Sequence, residues 1–117
     1  MVRGNVPQML MIGHTDNRIF GRALNPYDQT RTCGGSSGGE GGLVSSKCVP
    51  FAIGTDIGGS IRSPSACCGV IGFKPTAARS TYEGILAVAP SYSLNQTAIH
   101  PTCGPLCRTV LDVKTFF

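Results

Sequence analysis

The chain has 117 residues, of which 41% are hydrophobic, and a formal net charge of +4. This length accommodates one small domain at most, and the ordinary apolar content argues against a disordered chain. The arginines are scattered along the sequence rather than clustered, so no nucleic-acid partner is expected.

The first half of the chain predicts loops around a few short elements. An apolar run at 9–12 indicates one short element. The spacing over 38–48 is compatible with a short helix that its glycines weaken, with Val44 facing a core. A β-like run follows at 49–53 and is expected to end at Gly54.

The second half predicts one further helical turn, a strand and a C-terminal helix. The turn is expected within 61–68 and the strand at 70–73, whereas 77–101 is weakly patterned and predicts surface loops. Thr109 and Asp112 resemble a capping box that begins the last helix. This helix has no C-cap before the chain stops, which predicts an incomplete domain, and its apolar face is expected to carry Val113, Phe116 and Phe117.

The six cysteines predict neither disulfides nor a metal site. No C-x-x-C pair occurs, the adjacent Cys67 and Cys68 fit poorly into a disulfide framework, and the two histidines lie far from paired cysteines. We interpret the cysteines as reduced, small apolar residues, and expect no metal and no cofactor. Residues 1–4 do not form a secretory leader and no apolar run approaches the roughly 20 residues that span a bilayer, so an intracellular location is expected, cytoplasmic or membrane-associated.

Two glycine-rich stretches, 34–41 and 54–62, carry the functional signal. Glycine lets the backbone approach a substrate closely and turn several amides toward one point. A serine beside such amides has the equipment for acyl transfer, namely a nucleophile next to an oxyanion hole. Ser60 is the candidate nucleophile, and the candidate oxyanion donors are the amides of Ile57, Gly58, Gly59 and Ser60.

The other polar residues of these stretches suggest supporting roles. Ser36 could pass a proton between Ser60 and a base, because a hydroxyl both donates and accepts hydrogen bonds. Asp56 and Arg62 flank Ser60 and could form an ion pair that stiffens its loop. Neither histidine lies in a recognisable triad context, so the general base must come from elsewhere.

Two other interpretations of the glycine-rich stretches remain. Each could simply be a tight turn that packs a strand against a helix. Each could also bind an anion at a helix N-terminus, although the chain has no G-x-x-x-x-G-K-[ST] motif and no lysine at the end of either loop.

The glycine-rich stretches and the residues after them resemble the core of the amidase signature family. The similarity is strongest from 34 to 76, and weaker matches extend over nearly the whole chain, at 5–8, 20–21, 24–26 and 104–109. It implies an α/β fold, a mixed sheet flanked by helices, of which residues 1–117 form a central part. The N-terminal and C-terminal parts of that domain are then expected to be absent.

The resemblance also implies a Ser-Ser-Lys mechanism in which Ser60 is the nucleophile and Ser36 the bridging serine. The family's catalytic lysine stands several tens of residues before the first serine, but none of the 35 residues before Ser36 is a lysine. Glu40 and the segment 5–8 resemble the fatty-acid amide hydrolase branch more than the tRNA-dependent amidotransferase branch. Two smaller departures from the family pattern are Gly42, where alanine is usual, and Cys67, where an aromatic residue is common.

The sequence therefore predicts a fragment of an amide hydrolase whose partner is a small-molecule amide, with a fatty acyl amide as the candidate. The alternative is a non-catalytic remnant, or a fragment that binds a partner. The acyl chain, the amine, membrane attachment and the oligomeric state are left open.

Overall fold

The computed structural model describes residues 1–85 and 99–117. A 3-10 helix at Gln8–Leu10 is followed by a small antiparallel pair, β1 (Asp16–Asn17) and β2 (Gly21–Arg22). The remaining elements are α1 (Gly38–Ser45), β3 (Phe51–Asp56), α2 (Arg62–Cys68), β4 (Ile71–Gly72), β5 (Thr102–Cys107) and α3 (Val110–Phe116).

A three-stranded antiparallel sheet in the order β3-β5-β4 forms the centre of the molecule. Strand β5 pairs with β3 from Phe51↔Cys107 to Asp56↔Thr102, and with β4 at Ile71↔Cys107. All six residues of β5 are buried. The predicted α/β class is thus confirmed, with helices and strands interspersed along the chain and β5 at the middle of the sheet.

The core is small and lies between the sheet and the first two helices. Its fully buried apolar side chains come from α1, from the loop before α2 and from β5: Val44, Ile61 and Leu106. Helix α1 packs closely because Gly54 of β3 has no side chain, and a Cβ there would lie 2.6 Å from the Ser37 hydroxyl oxygen. The core position predicted for Val44 is confirmed.

Strand β3 departs from its predicted bounds. It begins at Phe51, after Pro50, and continues through Gly54 to Asp56 rather than ending at Gly54. The reason is its partner: β5 supplies a ladder along all six positions, including Gly54↔Gly104, and such pairing overrides the weak strand propensity of glycine.

Strand β5 was not predicted, because Gly104 and Pro105 are unfavourable inside a strand. The structure accommodates the proline on one side. The Phe73 amide donates a hydrogen bond to the Pro105 carbonyl at 3.0 Å, so the carbonyl faces the β4 side. The N–H and C=O of a strand residue point to the same side of the strand, so the N–H that Pro105 lacks would also face the β4 side. Strand β4 has already ended there, at Gly72. The missing N–H therefore leaves the ladder with β3 intact.

The other predicted elements are confirmed with small shifts. Helices α1 and α2 lie within 38–48 and 61–68, and β4 lies within 70–73. Of the predicted loop, 86–98 lies outside the described residues, and its described parts at 77–85 and 99–101 contain no helix or strand.

The capping box of α3 is also confirmed. The Thr109 hydroxyl accepts from the Asp112 amide at 3.1 Å, and the Asp112 carboxylate accepts from the Thr109 amide at 3.0 Å. At the other end of α3, Phe116 packs edge-on against Phe51 and Phe117 against Phe73. None of the helices within 1–85 and 99–117 combines the length and the hydropathy that a membrane span requires.

Candidate active site

Ser60 lies on the short loop that joins β3 to α2. The strand ends at Asp56 and the helix begins at Arg62, so five residues turn the chain, and Ser60 is half-buried. Gly59 has a φ of +125°, which residues with side chains rarely adopt. The loop therefore depends on this glycine for its shape.

The carboxylate of Asp56 holds the loop together. It is fully buried and accepts hydrogen bonds from the amides of Gly59 at 2.8 Å, Ile61 at 3.0 Å and Arg62 at 3.3 Å. The Arg62 guanidinium adds two more, from Nε at 3.0 Å and Nη2 at 2.9 Å. The predicted Asp56–Arg62 ion pair is therefore present.

These contacts keep Asp56 ionised. Burial raises the pKa of its carboxyl, but the hydrogen bonds from Arg62, and from the amides of Ile61, Gly59 and Arg62, outweigh burial and hold the pKa below its ordinary value. The partner responds in the opposite sense, since the Asp56 carboxylate raises the pKa of Arg62. The loop thus has a charged anchor at neutral pH.

Asp56 also decides which loop amides remain for a ligand. The Gly59 amide is directed at its carboxylate. Within residues 1–85 and 99–117, the amides of Ile57, Gly58 and Ser60 donate no hydrogen bond. Three of the four predicted oxyanion donors are therefore unengaged and the fourth is occupied, while the oxyanion role itself stays a prediction.

Ser36 lies on the second glycine-rich loop, which leads into α1. The Gly35–Ser36 peptide bond is cis, and Ser36 is buried, with 2% of its surface exposed. A threonine from a distant segment secures this loop at both ends. The fully buried Thr15 hydroxyl donates to the Gly34 carbonyl at 2.9 Å and accepts from the Gly38 amide at 3.1 Å.

The two loops meet through Ser37. Its amide donates to the Ser60 carbonyl at 3.1 Å, and its hydroxyl accepts from the Thr55 amide of β3 at 3.2 Å. Because Ser37 is engaged with the strand, Ser36 remains the better relay candidate of the adjacent pair. In the described part of the chain, however, no hydrogen bond joins the hydroxyls of Ser36 and Ser60.

A cavity of about 230 Å³ opens beside Ser60. Its lining includes Gly35 of the first loop and residues 57–60 of the second. The end of the 3-10 helix and the two residues after it add an apolar wall to this cavity: Leu10, Met11 and Ile12. The structure thus brings the predicted nucleophile and its candidate amides onto one cavity with an apolar wall.

Sequence reasoning missed Thr15 and Ser37 as supports of the site. Ser37 had a local signal, since it stands beside Ser36 in a glycine-rich run. Thr15 had none, because the loop it secures lies about 20 residues further along the chain. The described residues contain no group of three or more histidine, cysteine, aspartate or glutamate side chains placed to hold a metal ion.

Comparison with known proteins places these features in a family. The family profile described as Amidase matches residues 1–117. The chain is 45% identical over 111 residues to fatty acid amide hydrolase 1 of Caenorhabditis elegans, covering 95% of this chain and 18% of the relative. It is 40% identical over 116 residues to an acetamidase of Aspergillus oryzae, covering 99% and 21%. A glutamyl-tRNA(Gln) amidotransferase chain of Staphylococcus saprophyticus is 44% identical over 108 residues, covering 92% and 21%.

The fold agrees with this similarity. A solved structure of fatty acid amide hydrolase superimposes with a TM-score of 0.87 at 34% identity, covering 94% of this chain and 19% of that chain. The chain therefore spans about a fifth of the length of the proteins it matches. The hydrolase and the amidotransferase match at nearly equal identity, so identity alone does not favour the fatty-acid amide hydrolases over the amidotransferases.

Proposed function

This chain belongs to the amidase family, and we propose that it carries the two catalytic serines of an amide hydrolase of the Ser-Ser-Lys type. In the proposed reaction, the Ser60 oxygen attacks the amide carbonyl while Ser36 accepts the Ser60 proton and passes its own proton to a lysine. The amine leaves with a proton, and water then releases the acyl group from Ser60.

The observation that carries the proposal is the position of Ser60 beside unengaged amides. The N–H groups of Ile57, Gly58 and Ser60 are free to stabilise an oxyanion formed at the carbon that Ser60 attacks. One such donor contributes about 3–4 kcal/mol in the transition state. Gly59, predicted as a fourth donor, would contribute only after exchanging its bond to Asp56.

We propose an apolar acyl amide as the substrate, with a fatty acyl amide as the candidate. The wall formed by Leu10, Met11 and Ile12 supports this choice, because it places aliphatic side chains next to the attacking serine.

The general base is the part of the machinery that these residues do not supply. No lysine stands among the 35 residues before Ser36, and Lys47 and Lys74 follow it. We propose that the lysine belongs to a segment outside residues 1–117, which would complete the amidase domain. The competing possibility, a non-catalytic remnant or partner-binding fragment, rests on the same lack of a base.

An activity-based probe tests the proposal. A chimera would carry, ahead of Met1, the lysine-bearing segment of a fatty acid amide hydrolase, and would be treated with a fluorophosphonate. Trypsin separates the two serines, since Ser60 falls in peptide 48–62 and Ser36 in peptide 32–47. We expect the label on 48–62, its loss in Ser60→Ala and slower labelling in Ser36→Ala.

Ser63→Ala is the matched control, because Ser63 lines the same cavity. This substitution is expected to leave labelling unchanged. A label on peptide 32–47 that survives Ser60→Ala would reverse the assignment of the serines. A folded chimera that takes no label would favour the non-catalytic remnant.

A further inference from the structure

Two buried thiols lie beneath helix α1 and have no part in the proposed chemistry. Cys33 immediately precedes the loop that carries Ser36, and Cys68 is the last residue of α2. Both side chains are fully buried, and neither forms a disulfide. They belong to the two segments that bring the serines together.

The glycines of α1 locate the two sulfur atoms. A Cβ placed on Gly38 would lie 3.0 Å from the Cys33 sulfur, and one on Gly41 would lie 3.4 Å from the Cys68 sulfur. Residues three apart in a helix share a face. Both sulfurs therefore lie below the same face of α1, close to these two glycines.

Direct contacts between the cysteines support this placement. The Cys68 thiol lies 3.5 Å from the Cys33 carbonyl oxygen. The neighbouring Cys68 thiol lowers the pKa of Cys33, whereas the Cys33 thiol together with burial raises the pKa of Cys68. Cys33 is thus the more acidic thiol, and the thiolate is the form that reacts with oxidants.

We propose that Cys33 and Cys68 form an oxidation-sensitive dithiol, whose disulfide ties the Ser36 loop to the helix that follows Ser60. The co-reactant is a small peroxide. Cys33 loses its proton and the thiolate attacks one peroxide oxygen; the O–O bond breaks, and the departing hydroxide takes up that proton, so the products are a sulfenic acid and water. The Cys68 sulfur then attacks the sulfenic sulfur, the S–S bond forms and a second water leaves, so two thiols and one hydrogen peroxide give one disulfide and two waters.

The remaining cysteines make this pairing specific. Cys48 and Cys67 are exposed and are open to reaction between molecules. Cys103 and Cys107 are buried on β5, four residues apart on one strand. Four strand residues separate Cα atoms by about 13 Å, which exceeds the roughly 7 Å limit for a disulfide.

Peptide mapping tests the proposal on a Cys48→Ser/Cys67→Ser variant of this chain, which removes the exposed thiols. The folded variant is treated with hydrogen peroxide, its free thiols are blocked, and it is digested with trypsin without reduction. Cys33 falls in peptide 32–47, Cys68 in 63–79 because trypsin does not cleave before Pro75, and Cys103 and Cys107 share peptide 80–108. We expect 32–47 joined to 63–79 as the main disulfide, released by dithiothreitol.

Two controls separate a preformed pair from random oxidation. Cys103→Ser, which removes another buried thiol, is expected to leave the 33–68 linkage unchanged, whereas the same oxidation in denaturant is expected to spread the linkages over all pairs. A folded protein whose peptides 32–47 and 63–79 stay separate, or whose 33–68 linkage is no more abundant than in denaturant, would overturn the proposal.

Discussion

Glu40 is expected to titrate near neutral pH, and its protonated, uncharged form is expected to stabilise the folded chain. The residue lies in the first turn of α1, and its Oε2 atom is buried with no hydrogen-bond partner among the described residues. Burial raises the pKa of this carboxyl from an ordinary 4.5 to about 7, against the lowering effect of hydrogen bonds from the amides of Glu40 and Gly4. The two ion pairs found in the described parts of the chain involve Asp28 and Asp56, so neither supplies Glu40 with a cation.

The size of the effect follows from linkage. Each tenfold change in proton affinity is worth about 1.4 kcal/mol, so the rise from 4.5 to about 7 corresponds to about 3 kcal/mol. The folded state binds the proton more tightly than the unfolded state. The stabilisation is therefore fully present below pH 4.5, and it is lost as the pH rises through about 7.

Glu40→Gln is the perturbation that isolates this effect, because glutamine keeps the shape and removes the charge. At pH 8 the variant is expected to exceed the natural chain in free energy of unfolding by up to about 3 kcal/mol, and at pH 4 the difference is expected to vanish. Urea denaturation at both pH values measures it. Comparing the two proteins at each pH cancels every other titrating group.

A direct measurement is also available, since Glu40 and Glu83 are the only glutamates in the chain. Carbon-13 labelling of the glutamate carboxyls gives two signals, and the one missing from Glu40→Gln belongs to Glu40. We expect that signal to titrate near pH 7. A midpoint below about 5, inside the ordinary range of glutamate, would refute the reasoning from burial, as would a Gln variant whose stability follows the same pH dependence as the natural chain.

Three further outcomes are expected. Asp56→Asn should lower the free energy of unfolding by about 2–3 kcal/mol in urea denaturation, because charged hydrogen bonds to the loop amides are lost. Since the pKa of Asp56 is lowered in the folded state, this difference should shrink as the pH falls below about 4. A difference of the same size at pH 3 would contradict the reasoning. Thr15→Val should cost about 1–3 kcal/mol by leaving the Gly38 amide and the Gly34 carbonyl buried and unpaired, whereas Thr15→Ser, which keeps the hydroxyl, should cost less. Residues 1–117 alone should show no substantial hydrolysis of a long-chain acyl amide or a short p-nitroanilide, because they lack the proposed lysine and general-base assistance commonly contributes about 10²–10⁴-fold to the rate. A turnover of about 1 per second or more that is lost in Ser60→Ala would contradict the need for an external lysine.

The local elements could be predicted because their signals are local. Helix α3 begins where Thr109 and Asp112 satisfy each other's amides, and α2 follows directly on the serine loop. Strand β5 could not be predicted, since Gly104 and Pro105 disfavour a strand and the ladder that overrides them comes from residues about 50 positions earlier. Propensity is a property of a segment, whereas pairing depends on the whole chain.

The residues of the candidate site also divide into those that local sequence signals indicate and those that only the fold reveals. Ser60 and its glycines could be proposed as site residues from the sequence, because acyl transfer requires a nucleophile beside free amides, and their roles stay predictions. The occupied Gly59 amide also had a local signal, since an aspartate three residues before a turn amide commonly accepts its hydrogen bond. The role of Thr15 had no such signal and required the fold.

The contacts of Asp56 explain how one short loop can be both fixed and open to a ligand. Of the five residues in this loop, Ile61 packs into the core, and hydrogen bonds to Asp56 hold the rest of the loop in shape. The Asp56 carboxylate accepts hydrogen bonds from three loop amides, those of Gly59, Ile61 and Arg62. It does not bond the other three, which belong to Ile57, Gly58 and Ser60. The buried carboxylate thereby separates the amides that hold the loop from those that can meet a ligand. Because its pKa lies below the ordinary value, this separation persists at neutral pH, where an oxyanion would need preoriented donors.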